Sequence, residues 1–300
     1  MPPPGPAALA RPPLRRPRRL LVALVVVAAG VYAAAVVRLM TQETELIFRT
    51  TVARADTKPS FAFQQVDIPR TDGARQFAWR MDRDGDEQGG TADETWVLFL
   101  HGNASTVASR MNVKHYTRLR ELGLNVFAPE YRGYNGLEGV PSEAGVGADA
   151  RAAYDYLRKE IGVPAERVVI FGWSLGAAVA VGLASAVNSR AVVLEGAPAS
   201  IVDIGQQRYP LFPIRLIIRN PFNAIEKIAG VRAPLLFLHS PEDDVVPVSE
   251  GRRLFDAAPS PKTFVEVKGG HIEASEIDRD VFYDAVRAFL QATSTRPPSP

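Results

Sequence analysis

Gly172-Trp173-Ser174-Leu175-Gly176 is the part of this 300-residue chain that concentrates the most chemistry in the fewest residues. A serine hydroxyl becomes a nucleophile when a base takes its proton and a second group holds that base in place. The pentapeptide lies between an apolar run, residues 168–171, and a small-residue run, residues 177–184. The first reads as a buried parallel strand and the second as a helix packed closely on a sheet. A serine on so tight a strand-to-helix turn stands exposed at the edge of the sheet in a strained backbone conformation. Glycines two places before and after it leave room for the neighbouring backbone. The helix N-terminus that follows turns free N–H groups towards the reacting centre.

The chain offers four histidines as the base. His271, in Lys268-Gly269-Gly270-His271 just past the last apolar run, is the accessible one and the expected base. His101 is expected to order the loop beside an oxyanion site, His239 to be buried at a strand end, and His115 to lie within a surface helix. The acid that orients the base is expected between Ser174 and His271 in the chain. There Glu242, Asp243 and Asp244 follow the penultimate apolar run. The turn spacing to Val246-Pro247 favours Asp243, with Asp244 second. Attack on a carbonyl creates an oxyanion that needs two backbone N–H donors. Leu175, directly after the serine, supplies one. Asn103, in His101-Gly102-Asn103-Ala104, is the expected source of the other. These residues together point to acyl transfer: an acyl-enzyme on Ser174, then hydrolysis by water, with no cofactor. No H-E-x-x-H or P-loop pattern occurs, so no metal ligand set is expected. Gly145-Val146-Gly147 does not follow a strand and lacks the third glycine of a dinucleotide fingerprint.

These side chains need a scaffold, and the apolar runs supply it. Residues 61–68, 76–81, 96–100, 125–128, 168–171, 191–194, 235–239 and 264–267 read as strands. Residues 82–93, rich in Gly and Asp, read as an exposed hairpin loop. Ser105 is the expected cap of a helix reaching about residue 122. Pro141-Ser142-Glu143 starts another, with Ala148, Ala152, Ala153, Tyr156 and Leu157 towards the core. Residues 277–292 form a closing amphipathic helix. Strands alternating with helices give an α/β fold, an eight-stranded and mostly parallel sheet with helices on both faces. Residues 199–228 break the alternation with scattered apolar residues, Pro210, Pro213 and Pro221. That stretch reads equally as a small cap over the sheet's C-terminal edge or as a long crossover.

Composition bounds the remaining classes. The chain is 46% hydrophobic and 23% charged, with a net charge of +2 and no cysteine, which excludes disulfides and thiolate metal sites. Arg11, Arg15, Arg16, Arg18, Arg19 and Arg38 occupy residues 1–38 without a single acid. With those six set aside, 29 basic residues face 33 acidic ones, so residues 39–300 carry −4. That bias is opposite to a nucleic-acid-binding domain's, and no nucleic-acid partner is expected. Residues 1–19, rich in Pro and Arg, read as disordered, as do residues 293–300. Residues 20–37 form an uncharged 18-residue run, just enough to span a bilayer within a segment 20–40. A retained single-pass anchor is favoured over a cleaved signal with its small-residue site at 33–35. The closely spaced arginines before the run, Arg15, Arg16, Arg18 and Arg19, then stay in the cytoplasm and the domain from residue 41 to 292 lies on the other side.

His101-Gly-Asn-Ala, the Gly172–Gly176 pentapeptide, the Asp243 turn ending in Val246-Pro247, and Gly270-His271 together resemble the alpha/beta-hydrolase superfamily. The nearest likeness is the branch of alpha/beta-hydrolase-domain proteins with an N-terminal membrane anchor. Glu45-Leu-Ile-Phe48 and Tyr131-Arg-Gly-Tyr134 also fit that branch. The order Ser, Asp, His is the superfamily's order. The resemblance spans residues 40–292. It implies the fold, an acyl hydrolase activity on a carboxylic ester or thioester, and Ser174, Asp243 and His271 as the triad. Ser240 stands where the family often has glycine, and Ile272-Glu273 replaces the usual Asn-Asp. A cap and an anchor suggest a lipid-like acyl substrate. The alternatives are a serine peptidase and a non-catalytic, membrane-anchored binding module on the same fold.

Overall fold

The run Trp96–Leu100 forms strand β3, and every one of its residues is buried. A strand with neighbours on both edges and helices over both faces must be apolar throughout. In a computed structural model, which describes residues 1, 5, 15–70, 72–85 and 90–294, seven strands join it. They are β1 (Gln64–Pro69), β2 (Arg75–Met81), β4 (Asn125–Pro129), β5 (Val168–Trp173), β6 (Ala191–Glu195), β7 (Leu235–His239) and β8 (Lys262–Glu266). Their order is β1-β2-β4-β3-β5-β6-β7-β8. β2 runs antiparallel to both β1 and β4, and the other pairs are parallel. All eight expected strands form, so the mostly parallel α/β sheet is the one the apolar runs imply. The hairpin expected at residues 82–93 does not: β4 lies between β2 and β3, so that segment crosses over a strand. Residues 86–89 of it lie outside the described residues.

Alternation along β3 divides the core in two. Trp96, Leu98 and Leu100 pack on one face of the sheet with residues of α3 (Glu143–Lys159) and α4 (Leu175–Ala184). Val97 and Phe99 pack on the other with α2 (Arg110–Glu121) and α10 (Arg279–Ser294). Successive strand side chains point to opposite faces, which is why one run serves both layers.

Local signals set the helix ends, with some differences from expectation. Ser142 caps α3, its Oγ accepting from the Gly145 N–H at 3.0 Å. The buried face of α3 is Val146, Ala150, Ala153, Tyr154 and Leu157. Ala148 is exposed instead, because it sits two residues from both Val146 and Ala150, on the opposite side of the helix. Ser105 does not cap α2; the helix begins at Arg110 after Ser109, and residues 101–109 form a loop over the sheet edge. His115 lies in α2 but is fully buried rather than on the surface, since its side of the helix faces α10. The closing segment is two helices, α9 (Ala274–Ile277) and α10. Residues 199–228 hold three short helices, α5 (Ile201–Arg208), α6 (Ile214–Ile217) and α7 (Ala224–Lys227), and α8 (Val248–Ala257) follows β7.

Contacts divide the chain into two units, Met1–Glu43 and Thr44–Pro300. Helix α1 (Arg15–Phe48) supplies the first and ends in the second. Its stretch Arg18–Phe48 is long and apolar enough to cross a membrane, with a mean hydropathy of 2.8 over its best 18-residue window, and no residue of that window is buried. Residues 2–4 and 6–14 of the basic segment, and residues 295–300 of the tail, lie outside the described residues.

Candidate active site

β5 ends at Trp173 and α4 begins at Leu175, which leaves Ser174 alone to make the turn. Its backbone sits at φ 56°, ψ −123°, a left-handed-side conformation that an L-residue holds only when its surroundings impose it. The Ser174 N–H imposes part of it by donating to the Glu195 carbonyl at 2.9 Å. The two flanking glycines make the turn possible. A Cβ on Gly172 would come within 2.6 Å of the Ala177 Cα, and one on Gly176 within 2.6 Å of the His101 carbonyl oxygen.

The sheet edge brings three of the sequence-selected side chains into one line. His271 Nε2 lies 2.8 Å from Ser174 Oγ, and His271 Nδ1 lies 2.6 Å from Asp243 Oδ2. Asp243 Oδ1 accepts the N–H groups of Val245 and Val246 at 2.9 and 2.8 Å. Glu242 and Asp244 are exposed, while Asp243 is buried in the turn. Burial alone would push the Asp243 carboxyl up. The hydrogen bond and charge of His271 and the two backbone N–H groups outweigh it and hold the carboxyl below its usual range. Ser240, the residue in the family's glycine position, supports this turn: its Oγ accepts from the Glu242 N–H and its carbonyl from the Asp243 N–H.

Leu175 directly follows the serine in the chain, and Asn103 follows Gly102 in the loop beside it. Leu175 opens α4, so no carbonyl four residues back in the helix takes its N–H. Gly102 lets the preceding loop approach: a Cβ there would lie 3.1 Å from the Ser174 Cβ. His101 orders that loop as expected. Its ring, packed 4.4 Å from the Tyr131 ring, joins the Gly102 carbonyl at 2.8 Å to Glu130 Oε1 at 2.9 Å. His239 is buried as expected, and its Nε2 donates to the Val246 carbonyl at 2.9 Å.

Several residues here had no signal in the sequence. Gly196, at φ 54°, lies where a Cβ would meet His271 Cε1 at 3.2 Å and Asp243 Oδ2 at 3.4 Å, so it clears space for that pair. Glu195 is buried at the end of β6 with His115 Nε2 3.4 Å from its Oε2. Burial, with the nearby Asp243 charge, raises the Glu195 carboxyl well above its usual value, and burial pushes His115 down to about 3. Both shifts favour the uncharged form of the side chain. Among the described residues no cluster of His, Cys, Asp and Glu could hold a metal ion. A groove of about 640 Å³ runs between α3, α4 and the 199–228 insertion, but Ser174 does not line it.

The line from Asp243 through His271 to Ser174 can carry a proton away from Oγ. Comparison with known proteins agrees with that chemistry at the level of family. Residues 97–263 match the model described as the alpha/beta hydrolase family. An uncharacterized protein of Mycobacterium tuberculosis is 37% identical over 286 residues, 94% of this chain and 98% of the relative. The alpha/beta hydrolase domain-containing protein WAV2 of Arabidopsis thaliana is 30% identical over 248 residues, 76% of this chain and 79% of the relative. Among solved structures, an esterase of Pyrococcus furiosus superposes with a TM-score of 0.64 at 19% identity, covering 78% of this chain and 91% of that one.

Proposed function

The chain belongs to the alpha/beta hydrolase family, and from that premise we propose that it is a serine hydrolase that cleaves a carboxylic ester or thioester through an acyl-enzyme on Ser174. The observation that carries the reading is the unbroken line from Asp243 Oδ2 to His271 Nδ1 and from His271 Nε2 to Ser174 Oγ, at 2.6 and 2.8 Å. Ser174 Oγ attacks the substrate carbonyl carbon while His271 Nε2 takes its proton. Asp243 keeps the imidazole in the tautomer with Nδ1 protonated and stabilises the imidazolium that forms. The N–H groups of Leu175 and Asn103 hold the oxyanion. As the tetrahedral intermediate collapses, His271 gives its proton to the leaving oxygen or sulfur. Water then loses a proton to His271, attacks the acyl carbonyl, and releases the acid and free Ser174.

The apolar part of α1 serves as a single-pass anchor in this reading. The arginines before the apolar run, Arg15, Arg16, Arg18 and Arg19, lie on the cytoplasmic side and the domain from residue 41 to 292 on the other. The insertion at residues 199–228 carries Leu211 and Leu216, 80% and 86% exposed, which favours an apolar, lipid-like substrate over a peptide.

A panel of p-nitrophenyl esters of increasing chain length, run beside peptide substrates with purified enzyme in detergent, tests the function. Ester turnover with a burst equal to the enzyme concentration supports it. Turnover of peptides alone would make the chain a peptidase. No turnover and no burst would make it a binding module.

A further inference from the structure

The last turn of α1 ends against the loop that carries Asn103. A helix leaves its final carbonyls without partners inside the helix. Glu45 finds one locally, its carbonyl accepting from the N–H of Arg49, which at φ 52° closes the helix in the left-handed region. The next carbonyls are taken by residues far away in sequence. Asn103 Nδ2 donates to the Ile47 carbonyl at 2.7 Å. The Ala104 N–H donates to the Phe48 carbonyl at 3.0 Å, and the Tyr134 hydroxyl donates to the same oxygen at 2.6 Å. Phe48 is wholly buried, its ring edge-on to Phe222 at 5.8 Å. Tyr134 is buried too, its ring 5.4 Å from His101. Ala104 holds φ 55°, a left-handed conformation unfavourable for a non-glycine residue, so something must keep it there.

These bonds fix residues 103 and 104 from one side, while the His101–Glu130 contact fixes the loop from the other. The Asn103 side chain points to the helix end, which leaves its backbone N–H as the part of the residue available to a ligand. We infer that residues 44–48, the last turn of α1, form a positioning element of the oxyanion site, held to it by the Asn103 carboxamide and by the bonds to the Phe48 carbonyl. Asn103 then has two separate tasks, an anchoring side chain and an acting amide. The inference rests on Ser174 and the Asn103 amide working as proposed above.

Asn103→Asp is the sharpest test, because the carboxylate has the same shape, lacks the donor and repels the Ile47 carbonyl. Loss of one oxyanion donor reduces the rate about 10²–10³-fold, and a displaced donor should lose part of that. In the full chain in detergent, with p-nitrophenyl butyrate as substrate, kcat should fall about 10–100-fold with KM and Tm little changed. An aliphatic trifluoromethyl ketone reads the oxyanion directly. Ser174 Oγ adds to its carbonyl carbon, the serine proton passes to His271, and the ketone oxygen becomes the oxyanion. Its affinity should fall by the same factor as kcat/KM. Tyr134→Phe, which removes one of two bonds at the Phe48 carbonyl, should show the same pattern more weakly and serves if Asn103→Asp does not fold. Wild-type kcat and ketone affinity in the folded variants would overturn the inference while leaving the proposed function intact. Wild-type enzyme unlabelled by a fluorophosphonate at Ser174 would overturn both.

Discussion

Asp243→Asn separates an orienting carboxylate from a solvated turn residue. Asp243 Oδ1 accepts two backbone N–H groups, from Val245 and Val246. In the asparagine variant the amide oxygen must stay at that position, because turning the NH₂ group there would set donors against donors. Nδ2 is therefore forced to face His271 Nδ1, now 2.6 Å from Asp243 Oδ2. An NH₂ group facing that nitrogen requires it to accept, so the ring proton moves to Nε2. Nε2 then points a proton at Ser174 Oγ, 2.8 Å away, and can no longer take one. Where the wrong tautomer has been imposed on such a triad, kcat fell by about 10⁴. At 1.36 kcal/mol per factor of ten that is about 5.5 kcal/mol of barrier. Initial rates with p-nitrophenyl butyrate, with Tm recorded alongside, measure it. Asp244→Asn, at an exposed neighbour, should retain most of its rate. An Asp243→Asn enzyme that folds and keeps more than a tenth of wild-type kcat would refute the reasoning, and the reverse ranking would move the role to Asp244.

Gly176→Ala should reduce stability by about 3 kcal/mol or more, because its Cβ meets the carbonyl oxygens of Leu100 and His101, both backbone atoms that cannot swing aside. A thermal melt showing an unchanged Tm would contradict this. Glu195 folds protonated, since burial raises its carboxyl, and the unfolded chain releases that proton above its ordinary value of 4.5. Stability from this group is thus present below 4.5 and is lost as pH rises towards the folded value, by about 1.4 kcal/mol per pH unit at most. Glu195→Gln, which mimics the protonated acid, should gain on wild type in urea unfolding between pH 5 and 8, and parallel curves would mean that the buried carboxyl is ionised. The intact protein should remain in membranes after a high-pH carbonate wash. A mature N-terminus near residue 36 would show the apolar segment to be a cleaved signal.

The central strands β3 to β7 were legible because each is a short apolar run bounded by turn residues, too short for a helix and buried on both faces. Ser174 was legible because two glycines and a strand-to-helix switch are needed to make its turn, and backbone contacts closer than side chains permit leave no alternative. What was hidden depends on residues far apart in the chain. Nothing in Arg-Met-Asn-Val-Lys-His115 marks the histidine as buried; that follows from Tyr283, whose hydroxyl lies 2.9 Å from its Nδ1 across 168 residues. Gly196 looks like any turn glycine until the His271 ring arrives beside it. The end of α1 gives no sign in Glu45-Leu-Ile-Phe48 that its carbonyls are satisfied by Asn103, Ala104 and Tyr134. Ser105 misled because it is a good capping residue in a place where the loop uses its hydroxyl to hold the Gly102 carbonyl at 3.1 Å.

Intact-protein mass spectrometry after treatment with a fluorophosphonate tests the role of Ser174 most directly. One adduct per chain is expected, mapping to the peptide that contains Ser174, lost in Ser174→Ala and formed far more slowly in His271→Ala. A folded wild-type protein that takes no adduct, or one labelled equally well without Ser174, would contradict the serine hydrolase reading.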